Sequence, residues 1–497
     1  MSRRSVLLGL AVVVLAAIGR AEDGFLRLTP SAADLAVQRQ DWYGVYMNGT
    51  KVGWYHEDFG RAGTGDDAVY VTGASGTLTI ESMGQTVELQ MEEREEFDTA
   101  EPYALRGARS ESKQGENTEV VELRRDGKGY SATISAGGET RTMAVPSVDY
   151  TLADAMTQEL WTKAGRVAGD TARIRGFSLS ELKADSSTFT VTAVKESLVA
   201  GVRTKFYDIS VKTALRGMES TATIGASGKP IAGKMGGVFE IRAELEEQAR
   251  KTEKGADLFV FGIARIDRPI GDPAHVKKLV IEVEGEGLDK IPEAPRQKVT
   301  RAADGKTLTL NLGADAGATY TASAAEAAEA LEETVQLPTK LPRVVELAKQ
   351  AVGDAKTPQE KVERLVHFVS DYVKDVIVAR HMSVSEIVTA KQGDCTEHSV
   401  LFAALARAAG VPARQVGGLM YMGDDVKAFG GHAWDEVVLD GKWVPVDPTW
   451  NQTTVDATHI TLERNDAGMG HLATLGRVRF RLREVAPAPV PAAPPKK

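Results

Sequence analysis

Cysteine is nearly missing from this chain: Cys395 is the only one in 497 residues. A single thiol excludes an intrachain disulfide framework and any zinc site built from several cysteines. Histidine is scarce as well, and the eight present fall at no spacing typical of zinc ligands. The sequence therefore points to no metal site and no cofactor. Asp424-Asp425, in YMGDDVKAFGGH, reads as an exposed loop ahead of His432 rather than as a calcium site, and Gly423, Gly430 and Gly431 make that loop a candidate gate. No glycine loop of the kind that cradles phosphate is found. Long runs of positive charge are absent too, and the net charge is −9. That argues against a nucleic-acid partner or an anionic membrane surface. No internal repeat of a solenoid period is visible.

What is present begins with MSRRSVLLGLAVVVLAAIGRAED. Arg3 and Arg4 precede an apolar stretch, Val6–Ile18, that is short for a membrane span, and small residues at Gly19 and Ala21 mark a cleavage point. Residues 1–21 read as an export signal, and Ser2-Arg3-Arg4 resembles a twin-arginine leader. The expected location is the periplasm or the exterior, with N-terminal anchoring if the signal stays, and no integral span once it is removed. An unpaired thiol in an exported chain is a flag for reactivity.

Residues 22–250 read as an antiparallel β-rich domain. Asn48-Gly49 between two aromatic and β-branched runs predicts a hairpin, since both residues tolerate positive φ. Strands are expected at Thr86–Phe97, Glu119–Arg125, Tyr130–Ile134, Phe189–Val199, Lys205–Lys212 and Ser220–Ile224, with one helix at Leu152–Lys163. A smaller β unit and linker fill 251–320, with strands at Leu258–Ile266, Lys277–Glu284 and Thr307–Leu312. The Ala/Glu-rich stretch that follows reads as a linker or a marginal helix, and residues 485–497 as a disordered Pro/Ala tail.

Between 335 and 470 the pattern becomes α+β. Thr357-Pro358-Gln359-Glu360 supplies a cap, a first-turn proline and the second half of a capping box. Gly393-Asp394 introduces a helix from Cys395 to about Ala409 that is apolar almost all round, and so belongs inside a domain. Its first turn offers unsatisfied N–H groups and the positive end of a dipole. A thiol placed there beside an imidazolium is in the setting where cysteine becomes a nucleophile at neutral pH. His432 lies 37 residues further on at the start of an expected strand, and Asp447 ends the next strand across the turn Asp440-Gly441. Neighbouring antiparallel strands can set these two side chains together, giving the nucleophile, base and orienting carboxylate that acyl transfer requires.

The ordered set Gly-Asp-Cys-x-Glu-His, Ala-Gly-Val-Pro-Ala-Arg, His-Ala-Trp-x-Glu-Val and Trp-x-x-x-Asp-Pro-Thr resembles the transglutaminase-like superfamily of papain-fold cysteine enzymes over residues of about 340–462. The resemblance implies Cys395 as nucleophile, His432 as general base and Asp447 as orienter. Thr396-Glu397-His398 after the cysteine is closer to exported bacterial members than to animal cross-linking enzymes, which carry an aromatic residue there. Gln392 and His398 are candidates for the oxyanion site or the cleft, and Trp434 for a cleft wall. The implied activity is hydrolysis or acyl transfer at amide bonds through a thioester, on a protein or peptide of the cell envelope. The competing reading is a non-catalytic envelope scaffold in which the β domains bind.

Overall fold

The computed structural model describes residues 24–487, apart from 83–84, 128, 215–218, 236–238, 252–255, 258–262, 286–287, 289–290, 315, 317–319, 377, 379–380 and 465–477. The proposed signal and residues 488–497 of the tail lie outside that set.

The N-terminal half is one sheet, fourteen antiparallel strands on a continuous path with a fifteenth, Ala256–Asp257, pairing parallel at its side. Arg39–Met47 and Thr50–Ala62 meet at Asn48-Gly49, whose φ values of 52° and 82° are those the hairpin turn demands. Alternation decides which side of each strand is covered. Along Gly129–Ala136 the residues Tyr130, Ala132, Ile134 and Ala136 are buried and those between are half-exposed. Leu152–Lys163 forms a helix with a reciprocal Thr151–Asp154 cap. It joins the two terminal strands of the path. Leu152 and Met156 pack against Phe97, Leu105 and Leu123, whereas Trp161 packs against Ile174, Val191 and Ile209. One helix thus packs against both halves of the sheet.

Among the described residues three other sheets lie further along the chain, one of them only the two-residue pairing of Lys374–Asp375 with Gln392–Gly393. Val276–Glu284, Gln297–Arg301 and Thr307–Gly313 form three strands of a four-stranded sheet, and Arg479–Pro487 completes it by pairing with Val276–Glu284. The expected disordered tail is therefore corrected at its start. Val485 pairs with Leu279, and Pro487 stands at the strand end, where its missing N–H is tolerated. The expected strand Leu258–Ile266 is described only at Ile263–Arg265. It pairs antiparallel with Ala428–Gly430 of the C-terminal domain, and Ile266 beyond it makes a single parallel bridge to Phe480 of the four-stranded sheet.

In that domain the helices Pro342–Val352, Pro358–Tyr372, Val384–Ala390 and Cys395–Ala408 share one apolar core with Ala413, Val437 and Val446. The Thr357/Glu360 capping box forms as its sequence predicts. The five-stranded sheet beside them is built on Ala428–Leu439, flanked along its length by Ala413–Tyr421. Its other edge pairs with Ile263–Arg265 up to Gly430 and with Lys442–Val446 from Asp435 onward. His432 falls in the gap between these partners. The Ala/Glu-rich stretch is no free linker: Ala322 N–H donates to Gly441 O, Trp443 N–H donates to Tyr320 O, and a short helix covers Ala324–Glu329.

The large sheet meets this domain on the helix that precedes the cysteine. The hairpin tip Gly137-Gly138 lies on the helix Val384–Ala390, where Thr389 Oγ1 donates to Gly137 O and Ser385 Oγ to Glu139, both at 2.9 Å. Five residues beyond that helix comes Cys395. No helix among the described residues is long and apolar enough to cross a membrane.

Candidate active site

The cysteine helix begins where its sequence says it should. Asp394 is the N-cap: its Oδ1 accepts from Thr396 N–H at 2.9 Å, and Glu397 returns a bond from Asp394 N–H at 3.0 Å. Glu397 is fully buried, and its second oxygen accepts from Met382 N–H at 3.1 Å. Burial, with the charge of Asp394 beside it, pushes the Glu397 carboxyl well above the usual carboxylate range. Glu397 is thus a buried clamp on the cysteine turn. From Glu397 to Arg407 every residue of the helix is buried, yet Cys395 itself is only half-buried.

His432 sits inside the strand Ala428–Leu439 rather than at its start, because the ladder with Ala413–Tyr421 continues through Phe429 and Gly430. Its Nε2 donates to Asp447 Oδ2 at 2.7 Å, and its ring lies near enough to Cys395 for the thiol to help raise the pKa of the imidazole. Since Nε2 is committed to the carboxylate, Nδ1 is the nitrogen left for sulfur. Cys395, His432 and Asp447 are therefore brought together. Asp447 is wholly buried, and its Oδ1 accepts from Thr449 and Trp450 N–H at 2.8 and 3.2 Å.

The sequence reasoning missed a second histidine. His459 Nε2 donates to the same oxygen of Asp447 at 3.0 Å, and its Nδ1 faces Asp456 Oδ1 at 3.3 Å. Gln452 in turn donates to Asp456 at 2.7 Å. The only signal was the pair Asp456-x-x-His459, and outside a regular element that spacing assigns no direction. Trp434 is buried, its ring stacked beside His432 at 6.0 Å and edge-on to His459 at 5.1 Å. It fixes the imidazoles and does not line an open cleft. Trp450, in contrast, is 59% exposed next to Asp447.

The remaining candidates fall elsewhere. The ring nitrogens of His398 meet the main-chain oxygens of Asp394 at 2.8 Å and Val373 at 3.1 Å, so this buried imidazole ties the helix to its neighbours instead of facing the cleft. Gln392 is exposed on a two-residue bridge with Lys374, and among the described residues no hydrogen bond joins its amide to the site. Asp424 does not release its loop as a gate: its Oδ1 accepts from Ile270 and Gly271 N–H and from the Tyr421 hydroxyl. Glu436 is buried between Arg414 and Arg464.

Burial pulls the His432 pKa down, but the charge and hydrogen bond of Asp447, aided by Cys395, outweigh it and raise it to about 9. Burial likewise opposes the rise of His459 to about 9, and hydrogen bonds to Asp447 and Asp456 overcome it. Asp447 is opposed by burial and held well below its usual range by the two imidazoles. Both histidines thus bind protons more tightly folded than unfolded. Their contribution to stability is whole below the ordinary value of 6.5 and is lost as pH rises through about 9. Asp447 contributes above its ordinary 3.8 and loses this only as pH falls through its depressed value. Urea unfolding between pH 6 and 10 should therefore show a decline on the order of a few kcal/mol. A flat profile would contradict the network.

The family model of the transglutaminase-like superfamily matches residues 345–448. No curated protein matches the chain. Among solved structures, a protein from Cytophaga hutchinsonii provisionally assigned as a cysteine protease is 14% identical, with a TM-score of 0.28 over 44% of this chain and 89% of that one. A β-barrel-like protein of a domain family of unknown function from Brucella abortus is 11% identical, with a TM-score of 0.31 over 42% of this chain and 96% of that one. A provisionally assigned protease from Parabacteroides distasonis is 13% identical, with a TM-score of 0.19 over 69% and 68%. At these scores none of the three bears on chemistry. The motif order and the family match agree on one statement: residues 345–448 form a domain of the transglutaminase-like superfamily.

Proposed function

We propose that this chain is an exported cysteine enzyme that cleaves or transfers acyl groups at amide bonds of envelope proteins or peptides. The observation that carries the reading is the convergence of the Cys395 thiol, the His432 ring and the Asp447 carboxylate at the head of one buried helix. The N-terminal leader pattern supports export. Cys395 Sγ attacks the amide carbonyl carbon, and the electron pair of the carbonyl moves to oxygen. Cys395 N–H, at the first helical position where the helix supplies no acceptor, stabilises that oxygen. His432 then gives its proton to the departing amine nitrogen as the carbon–nitrogen bond breaks, leaving a thioester. Water or a primary amine, losing a proton to His432, resolves the thioester and frees the thiol. Asp447 keeps the ring turned toward sulfur throughout. The exposed indole of Trp450, whose main-chain N–H donates to Asp447, is an apolar surface on which a substrate side chain can rest.

Alkylation tests the reading. Iodoacetamide should modify Cys395 at pH 6 at least about tenfold faster than a small free thiol, as expected when a neighbouring imidazole serves the nucleophile. His432→Ala should bring the rate down to that of the free thiol. Equal rates for the two proteins would leave the scaffold reading as the better one.

A further inference from the structure

We infer that His432, Asp447 and His459 form a binding site for one divalent transition-metal ion of the zinc type, and that its binding switches the acyl-transfer machinery off. The site is shared with the proposed enzyme function, so the second half of the inference rests on that reading. The first half does not.

One ligand atom from each of the three side chains lies within 4.8 Å of the others. All three residues are buried, with 6%, 0% and 6% of their surface exposed. Both Nε2 atoms aim at one oxygen, Asp447 Oδ2, from 2.7 and 3.0 Å. Two imidazoles and one carboxylate are a donor set of zinc sites that keep a fourth position open. Calcium and magnesium are disfavoured, because they require six or more oxygen donors or several retained waters, and this site offers one oxygen beside two nitrogens.

The outer contacts fit as well. Ligating histidines ordinarily place the other ring nitrogen against a carboxylate or carbonyl. His459 does so with Asp456, and the free oxygen of Asp447 is fixed by the N–H groups of Thr449 and Trp450. The exchange also conserves charge. Entry of a divalent ion releases the two Nε2 protons to solvent, so the buried cluster gains no net charge, and burying new charge is the usual obstacle to such a site.

Silencing follows from the valence of imidazole. With Nε2 bound to metal, the proton left on Nδ1 belongs to a neutral imidazole, a far weaker acid than the imidazolium it replaces. His432 cannot then protonate the departing amine, and the lone pair needed to resolve a thioester never forms.

Direct titration of the full-length, chelator-treated protein with cobalt(II), followed by zinc competition, decides the matter. One visible-absorbing cobalt per chain is expected, displaced by zinc. Cys395→Ser, which cannot form a thioester, should bind equally well, so the result stands whatever becomes of the enzymatic reading. His459→Gln should lower affinity at least about 100-fold, and Asp456→Asn about 10–100-fold. The inference is overturned by absence of saturable binding, by loss of binding in Cys395→Ser (which would make sulfur the ligand), or by unchanged affinity in His459→Gln. Should His459→Gln fail to fold, unchanged affinity in Asp456→Asn overturns it equally.

Discussion

Asp447→Asn is expected to lower turnover on an amide substrate by about 10⁴-fold, the scale seen when an orienting aspartate is made neutral in a serine triad. Here the reason is geometric. Oδ2 accepts from both His432 and His459, and Oδ1 accepts two main-chain N–H groups. An asparagine side chain has only one oxygen. Either it loses the main-chain bonds that seat it, or it turns its amide N–H toward two imidazole N–H groups. In the second case His432 is driven to the wrong tautomer and its Nδ1 no longer serves sulfur. The substitution also leaves two buried imidazoles without the charge that keeps them protonated. Breaking a buried ion pair from one side costs roughly 3–5 kcal/mol. Steady-state kinetics and urea midpoints should therefore change together, and the pH dependence of stability above neutrality should flatten. A loss of less than tenfold in turnover, with an unaltered midpoint, would remove Asp447 from the mechanism.

His459 makes that prediction sharper than three residues alone would. A carboxylate with a single imidazole partner can swing, whereas Asp447 is held from four directions. His459, through Asp456 and Gln452, roots the triad in the loop that follows the carboxylate. Trp434 presses on both rings. Gly418 permits this, since a Cβ there would collide with the Trp434 ring and with the main chain of Ile460.

The sequence was most legible where local chemistry decides the outcome. Thr357-Pro358-x-Glu360 can hardly be anything but a helix start, and Asn48-Gly49 fixes a two-residue turn. The apolar helix behind Cys395 had to be central, because neither face suits water. Legibility failed where the partner is remote along the chain. Ile263–Arg265 has no feature that directs it to Ala428–Gly430, and Arg479–Pro487 returns some two hundred residues later to pair with Val276–Glu284. Ladder bonds are made by main-chain groups common to all residues, so side-chain pattern does not name the partner. Leu105–Gln114 forms a strand that its sequence does not announce, because its buried residues, Leu105, Gly107 and Ala108, do not alternate strictly and the rest is largely polar. His398 shows the same limit at the site. Helical spacing placed it one turn beyond the thiol, but two carbonyl oxygens captured its ring. Cys395, His432 and Asp447 were readable as a set because three motifs in order carry them. Asp456 and His459 were not, since nothing between Asp447 and His459 has a period.

Cys395→Ala should abolish acyl transfer, with a drop of about 10⁶-fold, as deletion of a triad nucleophile produces elsewhere. Its effect on folding should be slight. The cap of the helix is made by Asp394 and Glu397, and the buried stretch from Glu397 to Arg407 makes no use of the sulfur, which is half-buried at the rim. A thermal midpoint within a few degrees of the parent is expected, in contrast to the large shift for Asp447→Asn. Because substrate contacts beyond the sulfur are retained, the alanine variant should hold its substrate without turning it over. Capture of envelope peptides on immobilised Cys395→Ala, compared with Cys395→Ala/Trp450→Ala, then asks whether the exposed indole belongs to the cleft. Undiminished turnover by the single variant would end the thioester mechanism and transfer the biological role to the β domains.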